Sequence, residues 1–314
     1  MESKNNWKAW LYLAPALILM LIFTFYPLLN TFLIAFLNDY DIYTNESIIT
    51  SIFKEGGGLT LKNFGEVLGI TGKKVGNEVL RDSDFVTYAL RNTLIITFVT
   101  VPASVIIALL ISVALNSIKP LQKIFQTIFF IPYVTNSIAV GMVFAVIFTT
   151  SNGLWNTIFH LGNTKWVDQA ASDFNGLFAL CLFIIWNALP YKILIFLSGL
   201  QGIDKQYYQA AKIDSASKFK TFMRITVPLL SPQILYITIT SLIGSFKEYT
   251  SVDAMFGGPG TSKGDYNMYT VVYYIYDQLA THPERASAAA IILFVIIMLF
   301  TVVQNAVSKK RVHY

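Results

Sequence analysis

Long apolar runs alternate with shorter polar segments along most of the chain. A helix needs roughly 20 apolar residues to cross a bilayer core about 30 Å thick. Six runs reach that length, namely 10–37, 92–115, 124–148, 176–203, 227–246 and 286–307. None of them shows the ten-residue alternation that is typical of a membrane β-strand. The pattern therefore predicts an all-α, polytopic membrane protein with six transmembrane helices.

Composition agrees with this interpretation. The 314 residues are 54% hydrophobic and 13% charged, whereas soluble domains carry about 25% charged residues. The single cysteine, Cys181, excludes a disulfide framework and a Cys-based metal cluster within the chain. No basic patch with interleaved aromatic residues indicates nucleic-acid binding. An integral membrane protein is the class that remains.

The distribution of basic residues predicts the orientation. Lys4 and Lys8 precede the first run, which is far longer than the roughly 7–15 apolar residues of a signal peptide. Alternate polar segments are rich in Lys and Arg, and the positive-inside rule places such segments in the cytoplasm. Both termini are therefore expected to be cytoplasmic. We predict a single transmembrane domain over 1–314, with an outer loop at 38–87 and a cytoplasmic loop at 204–226.

The cytoplasmic loop 204–226 has an amphipathic pattern. Apolar and small residues recur at helical intervals, and these residues are Tyr208, Ala211, Ser215, Phe219 and Phe222. Lys212, Lys218 and Lys220 occupy other faces of the predicted helix. One interpretation is a helix that lies at the membrane interface and is held by anionic lipids. The other is a docking element for a cytoplasmic partner, and the pattern alone leaves both open.

The residues of this loop resemble the EAA loop of ABC importer permeases. The matching segments are 209–211, 214–216 and 225–228. Gln209 stands where that family has Glu, Ser215 where it has Gly, and Val227 where it commonly has Leu. Gln209 loses the charge, whereas Ser215 is expected to follow helical geometry without glycine's conformational freedom. Segments 89–93, 153–156, 199–203, 228–232 and 257–259 also resemble the MalF-like carbohydrate ABC importer permeases.

This resemblance implies an ABC importer permease fold in a bacterial or archaeal cytoplasmic (inner) membrane. The chain would form half of a carbohydrate pathway, paired with a second related permease in a heterodimer. Two ATPase subunits would bind ATP and Mg²⁺, a solute-binding protein would deliver substrate, and no cofactor or metal would bind this chain. The coupling helix is expected over 208–217. The expected contacts with an ATPase subunit are Tyr207, Tyr208, Gln209, Ala210, Ala211, Lys212, Asp214, Ser215, Ala216 and Ser217.

Polar and aromatic residues within the spans are candidates for contact with substrate, because polar groups in a membrane usually face a cavity or a partner helix. The candidates are Asn136, Trp186, Asn187, Tyr191, Lys192, Lys247, Glu248 and Tyr249. Asn136 and Asn187 have an alternative role in hydrogen bonds between helices. Lys247 and Glu248 are neighbours, and on a helix they would point about 100° apart.

Enzymatic chemistry is not expected of this chain. Its histidines are His160, His282 and His313, and none belongs to a His-Glu-x-x-His zinc motif. We therefore predict a permease subunit without catalytic residues, whose ATP hydrolysis belongs to its partners. Two transport alternatives stay open: a permease for glycerol-phosphate-like solutes, and an ion-driven secondary transporter. The second often has paired inverted halves, and we see no internal repeat in the sequence.

Overall fold

The computed structural model describes residues 6–38, 40, 43, 48–53, 58–75, 78–80, 84–118, 122–151, 153–168, 171–258 and 268–308. Parts of the predicted outer loop and the basic C-terminal segment lie outside the described residues. The chain forms two compact units, Met1–Phe85 with Tyr274–Phe294, and Val86–Tyr273 with Val295–Tyr314. The predicted single domain over 1–314 stays a prediction.

A long apolar helix dominates the first unit. It consists of α1 (Asn6–Met20), a π-helical segment (Leu21–Phe25) and α2 (Tyr26–Ala35), and it runs without a break from Trp7 to Ala35. Pro27 lies just after the π-helical segment, and it removes one backbone donor from this otherwise continuous helix. Apolar side chains such as Phe23 are not covered by other described residues of the chain. Such an exposed apolar surface suits a helix in contact with lipid.

Short elements follow in the outer loop: α3 (Ile48–Phe53), α4 (Lys62–Val67), and the antiparallel strands β1 (Lys73–Val75) and β2 (Glu78–Leu80). Asn63 fixes α4 to the end of α2, because its Nδ2 donates to the carbonyl oxygens of Ala35 and Leu37 at 3.0 and 2.7 Å. The buried carboxylate of Glu66 pairs with Arg285 at 2.6 Å. This polar cluster gives the outer loop a defined place within its unit.

The second unit contains the elements that form the candidate site. A π-helical segment (Phe85–Leu90) leads into α5 (Arg91–Ser117). The following helices are α6 (Gln122–Val134), α7 (Ser137–Ile147), α8 (Leu154–Phe159), α9 (Asp173–Gln201), α10 (Lys205–Ile213) and α11 (Lys218–Thr221). A π-helical segment (Phe222–Thr226), α12 (Val227–Leu229), α13 (Ser231–Phe246) and α14 (Thr250–Phe256) come next.

Close packing of α5 against α9 and α13 forms one core of the second unit. Val105, Ala108, Phe196 and Ile237 are buried in it. A hydroxyl also joins two helices, since Ser112 Oγ lies 3.1 Å from the carbonyl oxygen of Ile193. Such small polar contacts are typical of helix association in membranes, where lipid competes with purely apolar packing. The site is thus built on closely packed helices.

Two of the predicted spans are bent rather than straight. The third divides into Ile124–Val134 and Ser137–Ile147, which meet at 98°. At the fifth, the helical segment Lys218–Leu229 begins within the predicted cytoplasmic loop and meets Ser231–Phe246 at 68°. The predicted span over 124–148 is therefore not one straight helix. The break falls where Asn136 leaves helical geometry and caps α7, its Oδ1 accepting from the Ile138 N–H at 2.8 Å.

The last described helices are α15 (Val271–Leu279) and α16 (Pro283–Ser308). Four helices of the described residues are long and apolar enough to cross a membrane, and there are up to six if each bent pair counts as one span. That count agrees with the predicted all-α polytopic class. The three-residue strands in the outer loop are a small addition that the sequence interpretation did not include.

Candidate functional site

A cavity of about 390 Å³ lies among α5, α6, α9 and α13. We call it the Lys192 cavity. It brings together four of the eight candidate substrate residues, which are Asn187, Tyr191, Lys192 and Glu248. Hydroxyl groups that the sequence interpretation missed complete its polar wall, and they belong to Thr100, Ser104, Thr240, Ser241, Ser245 and Ser251.

Lys192 supplies a positive charge in the wall of this cavity. The residue is only 5% exposed, and its Nζ donates a hydrogen bond of 2.5 Å to Ser104 Oγ on α5. Within the described part of the chain, no carboxylate lies within 4 Å of this ammonium group. An ammonium has three N–H donors, so it can keep Ser104 and still donate to a bound molecule.

Glu248 supplies the carboxylate of the cavity. Its Oε1 accepts a 2.9 Å hydrogen bond from the Ser251 N–H, and its carbonyl oxygen accepts one of 2.7 Å from Thr270 Oγ1. Since α13 ends at Phe246, Glu248 and Lys247 lie beyond the helix, contrary to the expectation that they share one.

Tyrosines form another part of the wall. The ring of Tyr191 stacks on that of Tyr133 with 5.9 Å between centroids, and its hydroxyl lies 3.1 Å from the hydroxyl of Tyr236. Tyr133 thus also lines the cavity. Asn187 has the interhelical role that the sequence left open, because its Nδ2 donates to Ser137 Oγ at 3.2 Å.

The other four candidates do not line the cavity. Asn136 is exposed and caps α7. Trp186 packs on Phe144 with 5.0 Å between ring centroids. Lys247 is exposed, whereas Tyr249 stacks on Tyr273 with 4.8 Å between centroids. The structure gives these residues capping or packing roles, or leaves them on the surface.

A second cavity of about 800 Å³ extends from the same tyrosines to the polar loop. We call it the Tyr207 groove. Tyr133 and Tyr191 line both cavities, and Asp204, Tyr207 and Gln233 line only the groove. Helix α9 contributes to both, and its last residue is three positions before Asp204. The helix that carries Tyr191 and Lys192 therefore ends close to Asp204, which begins the loop with the predicted coupling residues.

Helix α10 begins at a side-chain cap and ends earlier than expected. Asp204 Oδ1 accepts from the Gln206 N–H at 2.9 Å, which satisfies a free backbone donor at the start of the helix. The predicted helix over 208–217 is wrong in extent, because α10 stops at Ile213 and Ser215 has a φ of +52°. Ser215, at the family's glycine position, therefore adopts a left-handed conformation and does not follow helical geometry. The helical pattern alone gave no sign of this turn.

The two sides of α10 differ sharply in exposure. Ala211 is 6% exposed, and the hydroxyl of Tyr208 lies 3.2 Å from Thr226 Oγ1, so both residues face the chain itself. Tyr207 and Ile213 are 53% and 84% exposed. Most of the other predicted ATPase contacts are exposed, and these are Gln209, Ala210, Lys212, Asp214, Ser215 and Ser217. Ala216 is partly exposed.

Two transport permeases are similar to this chain over most of its length. The chain is 30% identical over 301 residues to the lactose transport system permease protein LacF of Rhizobium radiobacter, covering 94% of this chain and 91% of LacF. It is 29% identical to the arabinooligosaccharides transport system permease protein AraP of Bacillus subtilis, with 95% and 88% covered.

The fold is similar to that of a solved transporter. A chain of the bacterial alginate ABC transporter, in complex with an alginate pentasaccharide-bound periplasmic protein, matches with a TM-score of 0.72 at 18% identity, covering 98% of this chain and 96% of that one. The predicted permease fold is thereby confirmed. Residues 101–313 also match the family described as binding-protein-dependent transport system inner membrane component. The chain belongs to this family of inner-membrane transport permeases, which confirms the resemblance found in its sequence.

Proposed function

We propose that this chain is the permease subunit of an ABC importer for a carbohydrate and forms half of the translocation pathway. The observation that carries the proposal is the Lys192 cavity, which places several hydroxyls, an amide, an ammonium and a carboxylate among membrane helices. Polar groups at that depth are costly unless they line a cavity or a pathway. Relatives named for lactose and arabinooligosaccharide transport support a sugar as the substrate.

The cavity has the chemistry that a neutral polyhydroxylated molecule needs. Lys192 donates hydrogen bonds, Glu248 accepts them, and hydroxyls such as that of Ser241 can do either. The ring of Tyr191 offers an apolar face to a sugar ring. We propose Asn187, Tyr191, Lys192 and Glu248 as contacts with the substrate, and we leave out the four candidates that lie elsewhere.

We propose further that the exposed face of α10 docks on an ATPase subunit. Ile213 exposes a large apolar surface at the end of a short helix, which suits insertion into a groove. ATP and Mg²⁺ would then bind in two partner ATPase subunits, and this chain would be no enzyme. A second related permease and a solute-binding protein complete the proposed assembly. Both termini are proposed to be cytoplasmic, and the chain to act as one permease domain.

A glycerol-phosphate-like substrate is a second candidate, because Lys192 could pair with an anion. The chain is 25% identical over 312 residues to the sn-glycerol-3-phosphate transport system permease protein UgpA of Agrobacterium fabrum. Glu248 lines the same cavity, however, and its carboxylate would oppose a second negative charge. We therefore prefer the neutral sugar.

Transport in proteoliposomes tests the proposal. The complete transporter is reconstituted with its binding protein, and uptake of labelled neutral oligosaccharides is compared with uptake of glycerol 3-phosphate. We expect sugar uptake that requires ATP and stops in a transporter whose ATPase subunits cannot hydrolyse it. Uptake that persists without ATP and follows an ion gradient would instead support a secondary transporter.

A further inference from the structure

The segment Lys218–Leu229, which follows the docking helix, has its own exposed amphipathic face. It forms a 12-residue helix with a π-helical middle, and it meets α13 at 68°. Phe219 and Met223 are 73% and 49% exposed although both are large and apolar. They are four positions apart, so they share one side of the helix. The described residues of this chain leave both side chains exposed, so only another molecule can shield them from water.

Basic residues lie beside this apolar pair. Lys220 and Arg224 are exposed and also four positions apart, so they form an adjacent stripe, and Lys218 adds a third charge at the start of the helix. The segment itself contains no acidic residue, the nearest one before it being Asp214. On the side opposite the basic stripe, Phe222 is partly buried and Thr226 is buried. One side of the helix is thus apolar and exposed, a second side is basic and exposed, and a third side packs on the chain.

The geometry of the bend places this helix near the membrane surface. Helix α13 has 16 residues and is about 24 Å long, short of a hydrocarbon core of about 30 Å. The preceding segment is about 18 Å long but, at 68° to α13, rises only about 7 Å along its axis. Amphipathic helices lie about 5–10 Å into the boundary between headgroups and acyl chains. The lengths of the two helices along the axis of α13 therefore add up to about the thickness of one bilayer core. When α13 crosses the membrane, Lys218–Leu229 lies nearly parallel to the membrane surface.

We propose that Lys218–Leu229 is an interfacial helix that binds anionic phospholipid, with Phe219 and Met223 between the acyl chains and Lys218, Lys220 and Arg224 at the headgroups. The proposal uses the cytoplasmic placement of this loop, and it adds a membrane contact to the proposed docking of α10. The two interpretations that the sequence left open for this loop then apply to different halves of it, separated by the turn at Ser215. Anionic lipid would hold the second half while the ATPase subunit moves the first.

Depth measurement by electron paramagnetic resonance tests the placement. A nitroxide is attached to Met223→Cys in the complete transporter, with Cys181→Ala to remove the native thiol, in nanodiscs that contain phosphatidylglycerol. We expect a label that is accessible to oxygen and shielded from a water-soluble nickel complex. A label open to the nickel complex would overturn the proposal. So would one shielded from both reagents only while the ATPase subunits are bound, because that result would assign the face to the partner protein.

Charge variants test the lipid chemistry. The charge-removing variant is Lys218→Gln/Lys220→Gln/Arg224→Gln, and its matched control keeps every charge as Lys218→Arg/Lys220→Arg/Arg224→Lys. Association with spin-labelled phosphatidylglycerol is compared with that of phosphatidylcholine. Each basic residue near an anionic surface contributes up to about a fivefold preference, so the first variant should lose the preference and the control should keep it. Equal preferences in the two variants would overturn the proposal, whether or not the transporter imports a sugar.

Discussion

Substitution of Ile213 is the sharpest test of the proposed docking face. This side chain is 84% exposed at the end of α10, so the described residues of its own chain cover little of it. Full burial of an isoleucine contributes about 1.5–3 kcal/mol. Covering its exposed fraction in an ATPase groove would therefore contribute about 1.3–2.5 kcal/mol, equivalent to about ten- to seventyfold in a dissociation constant.

We expect Ile213→Asp to weaken binding of the ATPase subunits by at least that factor, because the carboxylate would also have to lose water. The permease pair itself should remain as stable as before, since the side chain is exposed. Ile213→Leu is the matched control, with nearly the same apolar area and almost unchanged binding. Affinity of purified permease for ATPase subunits and ATP-dependent uptake in proteoliposomes are the two measurements.

Ala211 provides the contrast on the same helix. It is 6% exposed, so Ala211→Leu should overpack the interior and cost about 1–3 kcal/mol of stability even without ATPase subunits. The reasoning is refuted if Ile213→Asp assembles and transports normally. It is also refuted if Ala211→Leu leaves thermal stability unchanged while it abolishes ATPase binding, because Ala211 would then belong to the docking face.

Three further predictions concern the cavity, the turn and the helix packing. Lys192→Met should raise the KM for uptake about ten- to a hundredfold, because a hydrogen bond to a charged group contributes about 1.5–3 kcal/mol, with assembly on size-exclusion chromatography unchanged. Ser215→Gly should raise the thermal unfolding midpoint by a few degrees, since a non-glycine residue at φ +52° costs about 1 kcal/mol. Gly141→Ala should lower that midpoint, because its Cβ would lie 2.5 Å from the Cβ of Ala254, whereas Gly244→Ala, with no atom within 4 Å, should not.

The spans were predictable from the sequence, whereas the sharpness of their bends was not. Hydropathy averaged over about 20 residues records how much apolar surface a segment has, and this property is continuous through 124–148. The break depends on local hydrogen bonds: Pro132 lacks a donor, and Asn136 caps the next helix. Prolines also precede the second bend, at Pro228, and follow it, at Pro232. A proline beside a capping residue was the available signal.

The candidate site was predictable where its residues are unusual in a membrane. Lys192 and Asn187 stand out in an apolar helix, and both line the cavity. Ser104 and Thr240 do not stand out, because hydroxyls in helices commonly bond to the carbonyl four residues earlier, as Thr240 does with Tyr236 at 2.9 Å. Which hydroxyl faces a cavity depends on how α5, α9 and α13 pack, and a single sequence carries no record of that packing.

The positions of the two cavities on α9 suggest how docking and pathway could be linked. This helix runs without interruption from Asp173 to Gln201, carries Lys192 in one cavity, and leads within three residues to the cap of α10. An unbroken helix transmits a displacement of one end to the other, as in shear motions between packed helices. Tyr191 lies on α9 in the wall shared by both cavities, and its hydroxyl contact with Tyr236 on α13 joins two helices. A shift of α10 driven by an ATPase subunit would therefore act first on this tyrosine contact, which lies where the groove and the cavity meet.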